Sequence, residues 1–253
     1  MNAFGNLARF YDAVYADKDY AAEAAYVLKL LDAYAPACGR LLELGSGTGR
    51  HAIELARAGR QVSGIDASSD MVAIANERIA ASAPGHLSFG TADATRYRED
   101  RQYDAVIACF HVLNYMTTPE ALAAAFATAA AHLPRHGLFL FDSWHGPAVR
   151  RSGPETRVRD LRVGASEIVR IAQPEHDPAR QTVDVKYRFF VRQPPAAAWE
   201  LIEETHHLRY LFRDDVLAAC AQTGFELLLD EEWLSGKPLS DATWGACYLA
   251  RRI

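Results

Sequence analysis

From Leu41 to Phe141, short apolar runs alternate with longer stretches in which apolar residues recur every three or four positions. The short runs lie near Leu41–Leu44, Val62–Asp66, Leu87–Phe89, Tyr103–Phe110 and Gly137–Phe141. They are almost continuously apolar, as strands buried on both faces are. The periodic stretches between them predict helices near Thr48–Ala58, Ser69–Ala81 and Pro119–His132. Pro119 suits a first helical turn, and Pro134 with Gly137 marks a stop. An amphipathic helix is expected earlier, over Asp19–Tyr34, with Tyr26, Val27, Leu30, Leu31 and Tyr34 on its apolar side. Strands alternating with helices predict an α/β fold, a Rossmann-like, doubly wound, mostly parallel sheet.

After the fifth strand the pattern changes. Residues Glu155 to Tyr210 lose the helical period and become rich in Val, Ile, Thr, Tyr and Phe. Thr182–Phe189 alternates strictly, so one face is buried and the other wet. Pro174, Asp177-Pro178 and Pro194-Pro195 mark turns. Three or four antiparallel strands are therefore expected as an insertion. Phe212–Thr223 returns to a helical pattern and stops at Gly224, and Phe225–Trp233 and Trp244–Ala250 read as two last strands. The expected division is one unit of residues 1–150 and 211–253, interrupted by an antiparallel β subdomain of residues 151–210.

Composition narrows the classes. The 253 residues suffice for a large core, half of them are hydrophobic, and no apolar run approaches membrane-spanning length. Met1–Phe10 lacks the basic and apolar regions of a signal peptide. Cys38, Cys109, Cys220 and Cys247 form no CxxC and read as reduced core thiols of a cytoplasmic protein. A formal net charge of −5 argues against a broad nucleic-acid surface. The expected partners are small molecules, with no nucleic acid and no membrane; a homodimer is left open.

Candidate chemistry begins where the first strand ends. Leu41–Arg50 reads Leu-Leu-Glu-Leu-Gly-Ser-Gly-Thr-Gly-Arg, an apolar run with an acid, then alternating glycines opening a helix. Gly45, Gly47 and Gly49 let the backbone approach a ligand, and the helix start supplies free N–H groups. The same turn also occurs with no ligand. Asp66 ends the second strand, where a carboxylate either accepts from both ribose hydroxyls of a nucleoside or caps the helix near Ser68. Asp93 follows the third strand, where it is either a loop acid or the partner of an adenine amino group.

The G-x-G-x-G spacing, preceded by Glu43, resembles motif I of the class I S-adenosylmethionine (SAM) methyltransferases, and Asp66 and Asp93 fall in that family's order. Dehydrogenases share the ribose acid but generally lack the adenine acid, so the set favours SAM over NAD. A closer resemblance is to the nucleotide-linked aminosugar N-methyltransferases. It rests on Phe10-Tyr11-Asp12-x-x-Tyr15, Asp19–Glu23 and Thr205–Phe212, and on a β insertion after the fifth strand. This implies a SAM-dependent enzyme releasing S-adenosylhomocysteine. Its cofactor would be held by Tyr11, Tyr20, Glu43, Gly45, Gly47, Gly49, Asp66, Met71, Asp93, Ala94 and Cys109.

The expected acceptor is small and polar, with the nitrogen of a nucleotide-linked aminosugar first. N- or O-methylation of another metabolite, or a non-enzymatic SAM-binding module, are the alternatives. His111 and His207 are the candidate bases; His111 could equally be a neutral histidine bonded to backbone. Asn114, Tyr115, Trp144, Arg150, Arg151 and Arg209 are the candidate acceptor contacts. Arg157 joins Arg150 and Arg151 as a candidate for a diphosphate, since guanidinium forks suit phosphate oxygens. No metal is expected: His132 and His136 straddle Pro134, and Asp142 lacks the Asp-Asn pair that accompanies a magnesium ligand in the catechol-type enzymes.

Overall fold

A computed structural model describes residues 8–82, 86–194 and 198–253. The first seven residues and Pro195 of the expected Pro194-Pro195 turn lie outside them. The chain opens with α1 (Ala8–Val14) and α2 (Tyr20–Tyr34). Asp19 caps α2, its carboxylate accepting from the Ala22 N–H at 2.9 Å. Then follow β1 (Arg40–Leu44), α3 (Arg50–Arg57), β2 (Gln61–Asp66), α4 (Ser69–Ser82), β3 (Leu87–Thr91), β4 (Ala105–Ala108), a single 3-10 turn over Val112–Tyr115, α5 (Pro119–His132) and β5 (Leu138–Trp144). The short α6 (Gly146–Ser152) leads into β6 (Arg157–Val163), β7 (Ser166–Asp177), β8 (Thr182–Arg192) and β9 (Glu200–Arg209). The chain closes with α7 (Arg213–Thr223), β10 (Phe225–Glu232) and β11 (Gly245–Arg252).

The central sheet has seven strands in the order β10-β11-β5-β4-β1-β2-β3. All its pairings are parallel except those of β11 with β5 and with β10. Alternation along the strands splits the core into two layers. Leu42, Leu44, Val106, Phe139 and Phe141 pack with Phe126 of α5 and Val216 of α7. Leu41, Ile107, Leu138 and Leu140 pack with Val27, Leu30 and Leu31 of α2 and Leu55 of α3. After β1 the chain adds β2 and β3 on one side, then crosses to place β4 on the other. The β1/β4 boundary is thus a topological switch point, where doubly wound sheets open a crevice beyond the carboxyl ends of the strands.

A second, four-stranded antiparallel sheet, β6-β7-β8-β9, stands over that crevice. Val183, Val185, Phe189 and Val191 of β8 face inward, between Asp184, Lys186 and Arg188 facing out. The inward face packs against Phe10 and Val14 of α1 and against Val149 of α6. A parallel bridge between His145 and Leu211 ties the two sheets together, with the Leu211 N–H donating to the Trp144 carbonyl at 3.0 Å. Neither α1 nor α6 was legible in the sequence; each has only seven residues, about two turns. Among the described residues no helix is long and apolar enough to cross a membrane.

Candidate active site

One cavity of about 490 Å³ fills the crevice, bounded by the loops after β1, β2, β3 and β4, by α1, and by the inserted sheet. This falls in the usual range of small-molecule sites. Gly45, Gly47 and Gly49 all adopt left-handed φ, at 68°, 53° and 75°. They do different work. A Cβ on Gly45 would meet Val112 at 2.5 Å and one on Gly49 would meet Phe89 at 2.6 Å, so these two serve close packing. A Cβ on Gly47 would meet nothing within 4 Å; it would project into open space beside a residue that lines the cavity. That is where a ligand would come close to backbone. Gly49 itself caps α3 without a side chain, so the helix start keeps free N–H groups.

Asp66 ties the glycine turn after β1 to its own loop, accepting from the Gly47 N–H and from the Ser68 N–H, each at 2.8 Å. Burial raises its pKa, and these two bonds oppose that rise. A carboxylate has about four acceptor positions, so two stay available to hydroxyls. Asp93 spends Oδ1 on the Thr95 N–H and hydroxyl, at 2.8 and 2.7 Å, leaving Oδ2 without a protein partner among the described residues. Met71, Ala94 and Cys109 line the same half of the cavity. Tyr20 does too, between His51 at 4.9 Å and the Arg50 guanidinium at 4.6 Å.

Helix α1 brings Tyr11 to the cavity, and Tyr15, just past its end, lines it beside Phe110 and Arg170. Asp12 fastens the helix, accepting from the Thr48 hydroxyl at 2.7 Å and pairing with Arg78 of α4.

The opposite half is built from β4, β5 and the inserted sheet. Phe110 and His111 are both left-handed, with φ of 68° and 63°. Such strain in bulky residues survives only where surroundings enforce it. Here the buried Asp142 enforces it, accepting from the His111 backbone N–H at 3.0 and 3.2 Å. His111 Nδ1 lies 2.7 Å from Asp142 Oδ2, in close contact although off the line of an ideal hydrogen bond. This early left-handed turn also explains why β4 ends at Ala108 and not at the expected Phe110. Tyr115, Trp144, Tyr187, His206, Arg157 and Arg170 complete the wall.

Residues 41–137 match the methyltransferase domain family. Over 236 residues the chain is 26% identical to the dTDP-3-amino-3,6-dideoxy-α-D-glucopyranose N,N-dimethyltransferase of Streptomyces fradiae, covering 92% of this chain and 88% of that one. The SAM-bound aminopentose methyltransferase CalS10 of Micromonospora echinaspora has 25% identity and a TM-score of 0.75, over 96% of both chains. A SAM-dependent methyltransferase of Clostridium acetobutylicum shares the fold over 98% of both chains, with a TM-score of 0.82 at 19% identity. The chain is a SAM-dependent methyltransferase. Its cofactor is SAM, for which the open face of Gly47, the remaining acceptor positions of Asp66 and the unengaged Asp93 oxygen provide fitting partners.

Several residues expected at this methyltransferase's site stand elsewhere. Glu43 is buried beneath the glycine turn and does not line the cavity. Asn114 is fully buried as a cross-brace, its Nδ2 donating to the Arg209 carbonyl at 2.6 Å and its Oδ1 accepting from the Trp144 N–H at 3.1 Å. Arg209 is buried in an ion pair with Asp215 at 2.5 Å. Arg150 sits 5.6 Å over the Phe212 ring, Arg151 is exposed, and neither lines the cavity.

The histidine pair on β9 is reversed. His207 points outward to Asp184 at 2.8 Å, and His206 is the buried one that lines the cavity. The alternation showed that one of the two faces inward, but not which; that depends on strand register. Tyr187 and Arg170 escaped sequence reasoning because they lie on strands whose facing only the packed sheet decides.

Proposed function

We propose that the methyl acceptor is the amino nitrogen of a nucleotide-linked aminosugar. The observation carrying this reading is the pair Arg157 and Arg170. Both line the cavity, and neither has an ion-pair partner among the described residues. Arg170 lies against the Tyr15 and Tyr187 rings at 5.8 and 5.1 Å, and its buried Nε makes no hydrogen bond. A partly desolvated guanidinium is costly without an anion, and a diphosphate supplies one whose paired oxygens match the planar guanidinium fork. The likeness to the S. fradiae enzyme, which runs through the inserted sheet, supports the same acceptor class.

SAM supplies an electrophilic methyl group on a sulfonium centre. The chain's own task is to hold and align a neutral amine and to exclude water. Alignment can supply about 7–11 kcal/mol, against about 3–5 kcal/mol for a general base. His111, set by Asp142, is the candidate base; positioning outweighs it. Residues 151–210 serve in this reading as the acceptor-side subdomain.

The double substitution Arg157→Ala/Arg170→Ala tests the reading with dTDP-3-amino-3,6-dideoxy-α-D-glucopyranose. Charge-assisted bonds of about 1.5–3 kcal/mol imply a Michaelis constant raised roughly tenfold or more. SAM affinity should stay as it is. Normal kinetics in the double variant, or equal turnover of the same aminosugar without its nucleotide, would reject the assignment.

A further inference from the structure

Between β3 and β4 the chain runs through residues 92–104, a surface loop. Ala92, Asp93 and Ala94 at its start line the cavity, whereas Tyr97 and Glu99 further along do not. The start is pinned by the Ala92 N–H, which donates to the Asp66 carbonyl at 2.9 Å. The far part is held chiefly by one side chain of α5, His132, which is fully buried and does not line the cavity. The Glu99 N–H donates to His132 Nε2 at 3.1 Å. The Tyr97 ring stacks on the imidazole, with centroids 5.0 Å apart and 16° between the planes. The His132 carbonyl accepts from the Tyr103 N–H at 2.8 Å.

The second ring nitrogen is engaged as well. His132 Nδ1 lies 2.8 Å from the Thr128 carbonyl, one turn back along α5. A backbone N–H can only donate and a backbone carbonyl can only accept. Nε2 therefore accepts from Glu99 and Nδ1 donates to Thr128, and neither nitrogen is left for a ligand. Arg98 adds an outer clamp, donating to the Thr128 hydroxyl at 2.7 Å.

This fastening reaches the cavity through one helical turn. The Asp93 carbonyl accepts from the Arg96 and Tyr97 N–H groups at 3.0 and 2.9 Å. Residues 93–97 thus form a single unit, with the Asp93 carboxylate at one end and the ring seated on His132 at the other. Thr95, inside the same unit, holds Oδ1 of Asp93. The direction in which Oδ2 points is a property of the turn, and the turn is seated on α5.

We propose that His132 is a positioning residue for the cofactor: it latches the loop after β3 to α5, so that Asp93 presents its open oxygen to the adenine 6-amino group. The inference rests on the assignment of Asp93 to that amino group. His132 acts at a distance and touches no part of the ligand.

Titration calorimetry with two ligands tests the latch. One is S-adenosylhomocysteine, and the other is its analogue with hydrogen in place of the adenine 6-amino group. His132→Leu should weaken S-adenosylhomocysteine by roughly threefold to tenfold, about the worth of one hydrogen bond, and leave the analogue's affinity as it is. His132→Gln, whose amide oxygen reaches the place of Nε2, should retain most of the affinity. Equal losses for both ligands would mark His132 as general support of the fold and overturn the proposal, as would unchanged affinity for both. Asp93→Ala separates the two assignments. If it leaves the preference for the amino group intact, the Asp93 assignment falls and takes the latch with it. If it abolishes that preference while His132→Leu does not, the latch alone falls. Hydrogen exchange needs no variant: the Glu99 amide of the unaltered protein should exchange at least tenfold more slowly than an unbonded amide, although Glu99 is exposed. Free exchange there would overturn the proposal even if the leucine variant did not fold.

Discussion

Glu43 ends up where few carboxylates do, buried beneath the loop that would carry the cofactor. Burial, and then the charge of Asp66, push its carboxyl up to about 8, and the nearby Ala52 N–H offsets only part of this. The ordinary value is 4.5. Between 4.5 and about 8 the folded chain therefore binds more protons than the unfolded one, and stability falls as pH rises through that window. Glu43→Gln cannot ionise. Its melting temperature should exceed that of the unaltered protein by roughly 3 °C or more above the upper limit, with the gap closing toward the lower one. Calorimetry across the window checks this; a gap independent of pH would show that Glu43 is ionised throughout. Asp66 has the opposite duty in the proposed cofactor assignment, as the carboxylate that would meet ligand. Asp66→Ala should weaken SAM binding by about 1–3 kcal/mol, because the ligand hydroxyls lose their acceptor. Titration calorimetry showing unchanged affinity in a folded variant would reject that role.

Among the elements, the seven-residue α1 is one of the most consequential. It brings Tyr11 to the cavity, yet it is held to the methyltransferase domain mainly through Asp12. A second tie runs from Asp17 to Arg159 of the inserted sheet, an exposed pair at 3.2 Å of the kind that contributes little. Asp12→Ala removes the Thr48 hydrogen bond and the Arg78 ion pair together. The expected result is roughly threefold to tenfold faster SAM release, measured by stopped flow, with the fold intact. An unchanged release rate would uncouple α1 from the cofactor. Strand β9 makes the contrasting point. Its register hands the cavity His206 and leaves His207 to Asp184 at the surface, so adjacent identical residues acquire unrelated duties.

For the molecule as a whole, the site belongs to no single element. It forms where the loops after β1 and β4 part at the switch point and the inserted sheet stands across the gap. A ligand that bridges these parts stabilises only the native state. At a hundredfold excess over its dissociation constant SAM should add about 2.7 kcal/mol, or roughly 5–10 °C in melting temperature for a chain of this size. NAD should add nothing. A shift with NAD and none with SAM or S-adenosylhomocysteine would contradict the cofactor.

What the amino-acid order determined by itself was whatever rests on local spacing. The period of two or nearly four along the chain marked β1, β2, β3 and β5, α2 to α5 and α7, and the inserted sheet. The Gly45/Gly47/Gly49 turn and the acids Asp66 and Asp93 announced a nucleoside-like cofactor before any contact was known. Only the tertiary structure decided which side chains meet. Arg209 looked like an acceptor contact and Arg150 like an anion ligand, and Asp215 and Phe212 claimed them. Asn114 looked like a substrate contact and became a brace between β5 and β9. His206, Tyr187 and Arg170 reached the cavity through the register of a sheet whose strands are paired over tens of residues. The physical reason is the same in each case. Backbone conformation responds to neighbours a few residues away, whereas the partner of a buried charge or hydroxyl is chosen by packing between segments that the sequence holds far apart.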